Sequence, residues 1–173
     1  MTRLKSSNFI KKILSLAPVI LLFLSVLNNF DFNYLNQQYF SFNFSYILIF
    51  YYSLKKSESL GYVLIFIAGL FNDVVVGMPI GISSLNFLLL CGAAAYLRNI
   101  TLRPSISKDW LFFLLSILLI NSISFIILNY IFNYKIIYLD QLTNTGFTFL
   151  LYFFFSNFFD FFEKVFIGRS NAG

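Results

Sequence analysis

One carboxylate in this chain stands inside a long apolar run, and any intramembrane chemistry would have to begin there. Asp73 lies in the stretch Gly69-Leu70-Phe71-Asn72-Asp73-Val74-Val75-Val76-Gly77-Met78-Pro79-Ile80-Gly81. Gly69, Asp73 and Gly77 recur every fourth residue, so a helix carries them on one face, where glycine lets a neighbouring backbone approach closely. A carboxylate on that face points into the protein. An ionised Asp at the centre of a membrane span costs about 2.5–3.5 kcal/mol on insertion scales, and less near the interface, so it needs a partner. The nearest donors are the free N–H groups that open the next helix, between Pro79 and Ser83. Three roles are open for Asp73: a clasp between two helices, a proton or substrate site, and a contact for a partner protein.

Other chemistry finds no material. The chain has no histidine, which removes the commonest general base and metal ligand, and its one cysteine, Cys91, can build neither a zinc site nor an internal disulfide. No phosphate-binding glycine loop, H-E-x-x-H pair or G-x-S-x-G elbow occurs. Asp31, Glu58, Asp109 and Asp140 fall in connections or at span ends, and Asp160 and Glu163 close the last apolar run. No catalytic, cofactor-binding or metal-ligating residue is therefore expected. The remaining polar groups suit hydrogen bonds between helices: Ser83, Ser84 and Asn86, then Asn121, Ser122 and Ser124. Thr143, Asn144, Thr145 and Thr148 either line a shallow pocket or begin a helix. Gly92, Ala93, Ala94 and Ala95 form a small-residue patch suited to tight packing.

The elements that would position Asp73 follow from composition. Of 173 residues, 59% are hydrophobic and 11% charged, against roughly 25% charged in ordinary soluble domains. The mean hydropathy is +0.80. Runs such as Trp110 to Leu128 approach the ~20 residues that cross a bilayer core. The expected fold is all-α and polytopic, a single membrane domain with six transmembrane helices at about 13–30, 39–54, 60–77, 80–97, 110–130 and 142–162. The first is an uncleaved anchor, because Asn28, Asn29, Phe30 and Asp31 follow it in place of a small-residue cleavage site. The third and fourth form a tight hairpin, with Gly77 suited to a helix end and Pro79 to a helix start.

Six spans place Arg3, Lys5, Lys11, Lys12, Lys55, Lys56, Arg98, Arg103, Lys108, Lys164 and Arg169 on one side and leave only Lys135 opposite. The positive-inside rule makes the crowded side cytoplasmic, with both termini there. The net charge of +5 is thereby explained without nucleic acid, since the basic residues form no patch with interleaved aromatics. Tyr51, Tyr52, Tyr62, Tyr96 and Trp110 are expected at the cytoplasmic interface, and Tyr34, Tyr39, Tyr134 and Tyr138 at the external one.

The pattern G-L-x-x-D-x-x-x-G-x-P-x-G, carried by Gly69, Leu70, Asp73, Gly77, Pro79 and Gly81 and followed by a Ser/Ala-rich helix, resembles the signature of the bacterial rod shape-determining protein MreD family. Length, span number and hairpin position are similar too. Asn72, beside the aspartate, is a polar group the pattern does not require. The resemblance implies a non-enzymatic inner-membrane subunit of the machinery that elongates the cell wall. Its partners would be an MreC-like membrane-anchored protein, an MreB-like actin homologue, the wall polymerase and transpeptidase, and membrane lipid. It also implies a fold similar to the substrate-binding subunits of energy-coupling-factor transporters, which makes a vitamin-type transporter subunit the alternative. Those subunits dock their partner through an A-x-x-x-A face on the first span. Here Ala17 is followed at the fourth place by Leu21, so that face is missing.

Overall fold

A computed structural model of the chain describes residues 16–27, 42–56, 59–101, 105–134 and 138–166. The described residues form six helices and no strand: α1 (Leu16–Leu27), α2 (Phe44–Lys55), α3 (Tyr62–Val76), α4 (Ile82–Ile100), α5 (Ile106–Tyr130) and α6 (Tyr138–Phe166). Arg3, Lys5, Lys11, Lys12, Arg103, Lys135 and Arg169 lie outside the described residues, as do Asn28, Asn29, Phe30, Asp31, Tyr34, Gln37, Tyr39 and Glu58, and the side chains of Tyr138 and Glu163.

Local sequence sets the helix ends. The Asn43 side chain caps α2 by accepting from Tyr46 N at 3.3 Å. Gly77, at φ +74°, stops α3 in the left-handed conformation, where glycine bears no Cβ penalty. At the end of α5, Asn133 adopts φ +51° and Tyr134 N donates back to Leu128 O at 2.9 Å, which folds the chain over the helix terminus and satisfies one of its last carbonyls. Pro79 does not start α4. It lies in the turn before it, and Gly81, at φ +105°, takes the N-cap position.

The main departure from expectation concerns the second apolar run. At about 1.5 Å per residue, the 12 residues of α2 reach only about 18 Å, short of the ~30 Å hydrocarbon core. Every residue from Ser45 to Leu54 is buried, because a helix that is apolar all round has no face to offer a polar solvent. Tyr51 and Tyr52 are therefore core residues and not interfacial ones. The two serines find partners inside: Ser45 Oγ lies 2.8 Å from Ser25 Oγ of α1, and Ser53 Oγ donates to Cys91 Sγ of α4 at 3.2 Å.

Around α2 stand α4 and α6, with Leu22 and Val26 of α1 in the same core. An aromatic cluster fixes the centre. The Phe50 ring lies 5.0 Å from Phe113 and 5.7 Å from Tyr152, and Phe113 stacks on Tyr152 at 4.4 Å, each such pair adding about 0.5–1.5 kcal/mol beyond burial. Trp110, expected at an interface, stacks on Phe149 at 4.3 Å and donates its Nε1–H to Phe149 O at 2.9 Å. Asp109, expected in a connection or at a span end, lies in the first turn of α5 and is buried there.

Among the described residues, two helices are long and apolar enough to cross a membrane, Ile106–Tyr130 and the Leu139–Phe162 part of α6. Only a third or less of their most apolar stretches is buried against the rest of the protein. Leu111, Leu115, Leu119, Phe154, Phe158 and Phe161 face outward.

Candidate functional site

α3 and α4 meet through the motif singled out in the sequence. Gly69 is buried against Ser84: a Cβ added at Gly69 would overlap the Ser84 Cα and N. At that approach Ser84 Oγ donates to Phe66 O at 2.9 Å. One turn on, Asp73 has no exposed surface. Its Oδ2 accepts from Gly81 N at 2.7 Å and its Oδ1 from Ser83 N at 2.8 Å. Both carboxylate oxygens thus serve free N–H groups at the start of α4, where the helix dipole favours negative charge. The Asp73 backbone carbonyl also accepts, from Gly77 N and from Met78 N at 3.0 Å. One residue therefore closes its own helix and opens the next.

The glycines divide the work differently from their four-residue spacing. Gly69 supplies close approach. Gly77 lies beyond the helix with nothing within 4 Å of a Cβ position, so its contribution is conformational. Gly81 is conformational as well, at φ +105° with open space around it. Pro79 and Leu70 are half-buried, and Pro79 O accepts from Ile82 N at 3.4 Å. Asn72, the addition to the pattern, donates through Nδ2 to Ser83 Oγ at 2.8 Å.

Asn72 and Ser83 also border a cavity of about 520 Å³ that the motif does not account for. All six helices contribute polar groups to it: Ser25, Ser45, Asn72, Ser83, Asn86, Asn121, Ser124, Gln141, Thr145 and Thr148. The end of α3, the start of α4, the end of α5 and the start of α6 all border it. Most of the polar groups are tied together. Asn121 Nδ2 donates to Thr145 Oγ1 at 2.7 Å, and the Thr145 hydroxyl donates in turn to Gln141 O at 2.7 Å. Thr148 Oγ1 accepts from Asn43 N at 2.8 Å and donates to Asn144 O at 2.7 Å. Ser124 Oγ lies 2.6 Å from Asn86 Oδ1 and 2.9 Å from Ile120 O, its one proton serving these two acceptors. Gln141 Nε2 donates to Asn121 O at 3.1 Å, whereas its buried Oε1 has no partner among the described residues.

At the opposite end a second polar group joins α2 and α6. Asp160 accepts from Lys55 Nζ at 2.6 and 2.7 Å and from Tyr51 Oη at 2.7 Å. Sequence reading placed Asp160 at a span end but had no signal for its partner 105 residues away. Of the cavity it offered one wall, since Asn144, Thr145 and Thr148, read as lining a shallow pocket or beginning a helix, do border it, while the contributions of the other helices went unread. That wall had a signal: Gln141, Thr145 and Thr148 lie at i, i+4 and i+7, a polar stripe on an apolar helix. No group of three His, Cys, Asp or Glu able to hold a metal occurs among the described residues. Comparison with models of known families, with curated proteins and with solved structures gives no match.

Proposed function

We propose that this chain is a non-enzymatic, multi-pass inner-membrane protein of the MreD type, a subunit of the rod shape-determining complex that organises lateral peptidoglycan synthesis. The observation that carries the reading is the clasp. The residues of the family-like motif, dispersed over 13 positions from Gly69 to Gly81, act together as one helix-joining unit built of caps and close packing. Such a unit shapes a surface and does no bond chemistry. The outward apolar faces of α5 and α6 support a lipid environment, because soluble monomers rarely expose contiguous apolar patches beyond a few hundred Å².

In this reading the protein has six spans, both termini are cytoplasmic, and the fold is similar to that of energy-coupling-factor substrate-binding subunits. α2 is then a short central segment that its neighbours shield from lipid. The clasp and the cavity face outward, and the Lys55–Asp160 pair faces the cytoplasm. The partners are an MreC-like anchored protein, an MreB-like actin homologue and the wall polymerase and transpeptidase. Depleting the protein from its own cells is expected to turn rods into swollen, round cells, read by microscopy. Normal shape with growth restored by an added vitamin would sink the reading. It would favour the transporter subunit instead, the alternative for which the polar cavity is the specific support.

The topology has its own test. Reporter fusions after Lys56 and Lys108 are expected to give a cytoplasmic signal, and fusions near Gln37 and Lys135 an external one. An external signal at Lys108 would break the six-span arrangement.

A further inference from the structure

We infer that the cavity beside the clasp binds a small, uncharged molecule with a flat ring and at least one N–H or O–H donor. The inference holds for either reading of the protein's function, since it rests on the cavity alone. Its volume of about 520 Å³ falls within the range of ~300–1,000 Å³ found for small-molecule sites.

Charge decides the first property. The polar lining consists of amides and hydroxyls, and the one carboxylate bordering the cavity, Asp140, is exposed. No lysine or arginine lines it among the described residues. An ion entering would shed hydration and gain no counter-charge from that described lining, which is unfavourable in a low-dielectric interior. The second property follows from Gln141. Its Oε1 is buried and unpartnered among the described residues while its Nε2 is engaged, so the hydrogen-bond network of the cavity is not closed on itself. An acceptor in that position calls for a donor on an occupant, which an acyl chain does not carry. The third property comes from the apolar part of the wall, where Phe44, Tyr46 and Phe87 are among the lining residues, side chains whose aromatic character favours contact with a planar group. The ties between helices use up most of the polar lining, and the Gln141 oxygen is the acceptor they leave over for an occupant.

The test uses the full chain purified in mild detergent and two pairs of probes that differ in charge, the near-isosteric nicotinamide and nicotinate, and uridine with its charged derivative uridine 5′-monophosphate. Binding is measured by equilibrium dialysis. At least one neutral probe is expected to bind with Kd below about 1 mM, and its charged counterpart at least about tenfold more weakly. Gln141→Leu, which keeps the bulk and removes the acceptor, is expected to weaken the neutral probe about tenfold. Leu119→Ala, on the outward face of α5, is expected to leave binding unchanged. The charge comparison is made on the unaltered chain, so it stands even if a variant fails to accumulate. Failure of both neutral probes, equal binding of charged and neutral partners, or a Gln141→Leu protein that binds as well as the original would each overturn the inference.

Discussion

Alanine at Gly69 is expected to lower the amount of folded protein in the membrane several-fold, although the substitution adds one methyl group. The reason is the neighbour. The new Cβ would overlap backbone atoms of Ser84, and a backbone at the start of a helix cannot swing aside as a flexible side chain can. α4 must move away from α3, which stretches both hydrogen bonds that Asp73 accepts. Overpacking costs about 1–3 kcal/mol where side chains give way, and here the rigid partner puts the cost at the upper end. A loss of 1–2 kcal/mol already changes cellular abundance several-fold. Gly92→Ala supplies the control: nothing lies within 4 Å of its Cβ position, and in a helix interior alanine is favoured over glycine by about 1 kcal/mol. Quantitative immunoblotting of membrane fractions distinguishes the two. Equal abundance of both variants would show that the close approach of α3 to α4 is not needed.

The second large effect is at Asp73. Leucine leaves the N–H groups of Gly81 and Ser83 without their acceptors, at about 1–3 kcal/mol for each group left unsatisfied. Asparagine retains one acceptor oxygen and turns an amide donor toward the other N–H. Asp73→Asn is therefore expected to keep part of the clasp and to be the milder change in membrane abundance and in partner co-purification. The comparison separates clasp from chemistry. A proton-relay role would make the two substitutions equally damaging to function, because neither residue titrates. Equal loss of function at full abundance, with partner binding intact, would rule against the clasp.

Legibility in the sequence was governed by range. The hairpin was readable because its determinants lie within 13 residues: a carboxylate one turn from a helix-ending glycine, followed by a proline and another glycine. Helical periodicity placed Gly69 and Asp73 on one face, and both do meet α4. The same periodicity misassigned Gly77, whose left-handed backbone takes it off the helix before the face is complete. Pro79 was placed at a helix start from its preference alone, but Gly81 takes the cap and the helix begins later. Hydropathy located the apolar runs without telling lipid-facing from enclosed ones. For that reason Tyr51 and Tyr52 read as interfacial, although both are buried. What lay out of reach was pairing between distant segments. Nothing local to Lys55 or to Asp160 names the other, and the cavity exists only where all six helices converge.

Enclosure of α2 also sets the order in which the molecule can be completed. Its first residues are held by Thr148, which receives the Asn43 N–H, and its last by Asp160, which receives Lys55 and Tyr51. Both latches belong to α6, about one hundred residues later in the chain. At ~5–20 residues per second, a ribosome takes on the order of 5–20 s to make that interval. Throughout it, α2 has left the ribosome without the helix that fastens both its ends. The N-terminal half is thus synthesised as an unfinished shell, and the last helix acts as its bolt. Chains released before Asp160 would keep every residue of the clasp and still present an unlatched α2 to the membrane's proteases.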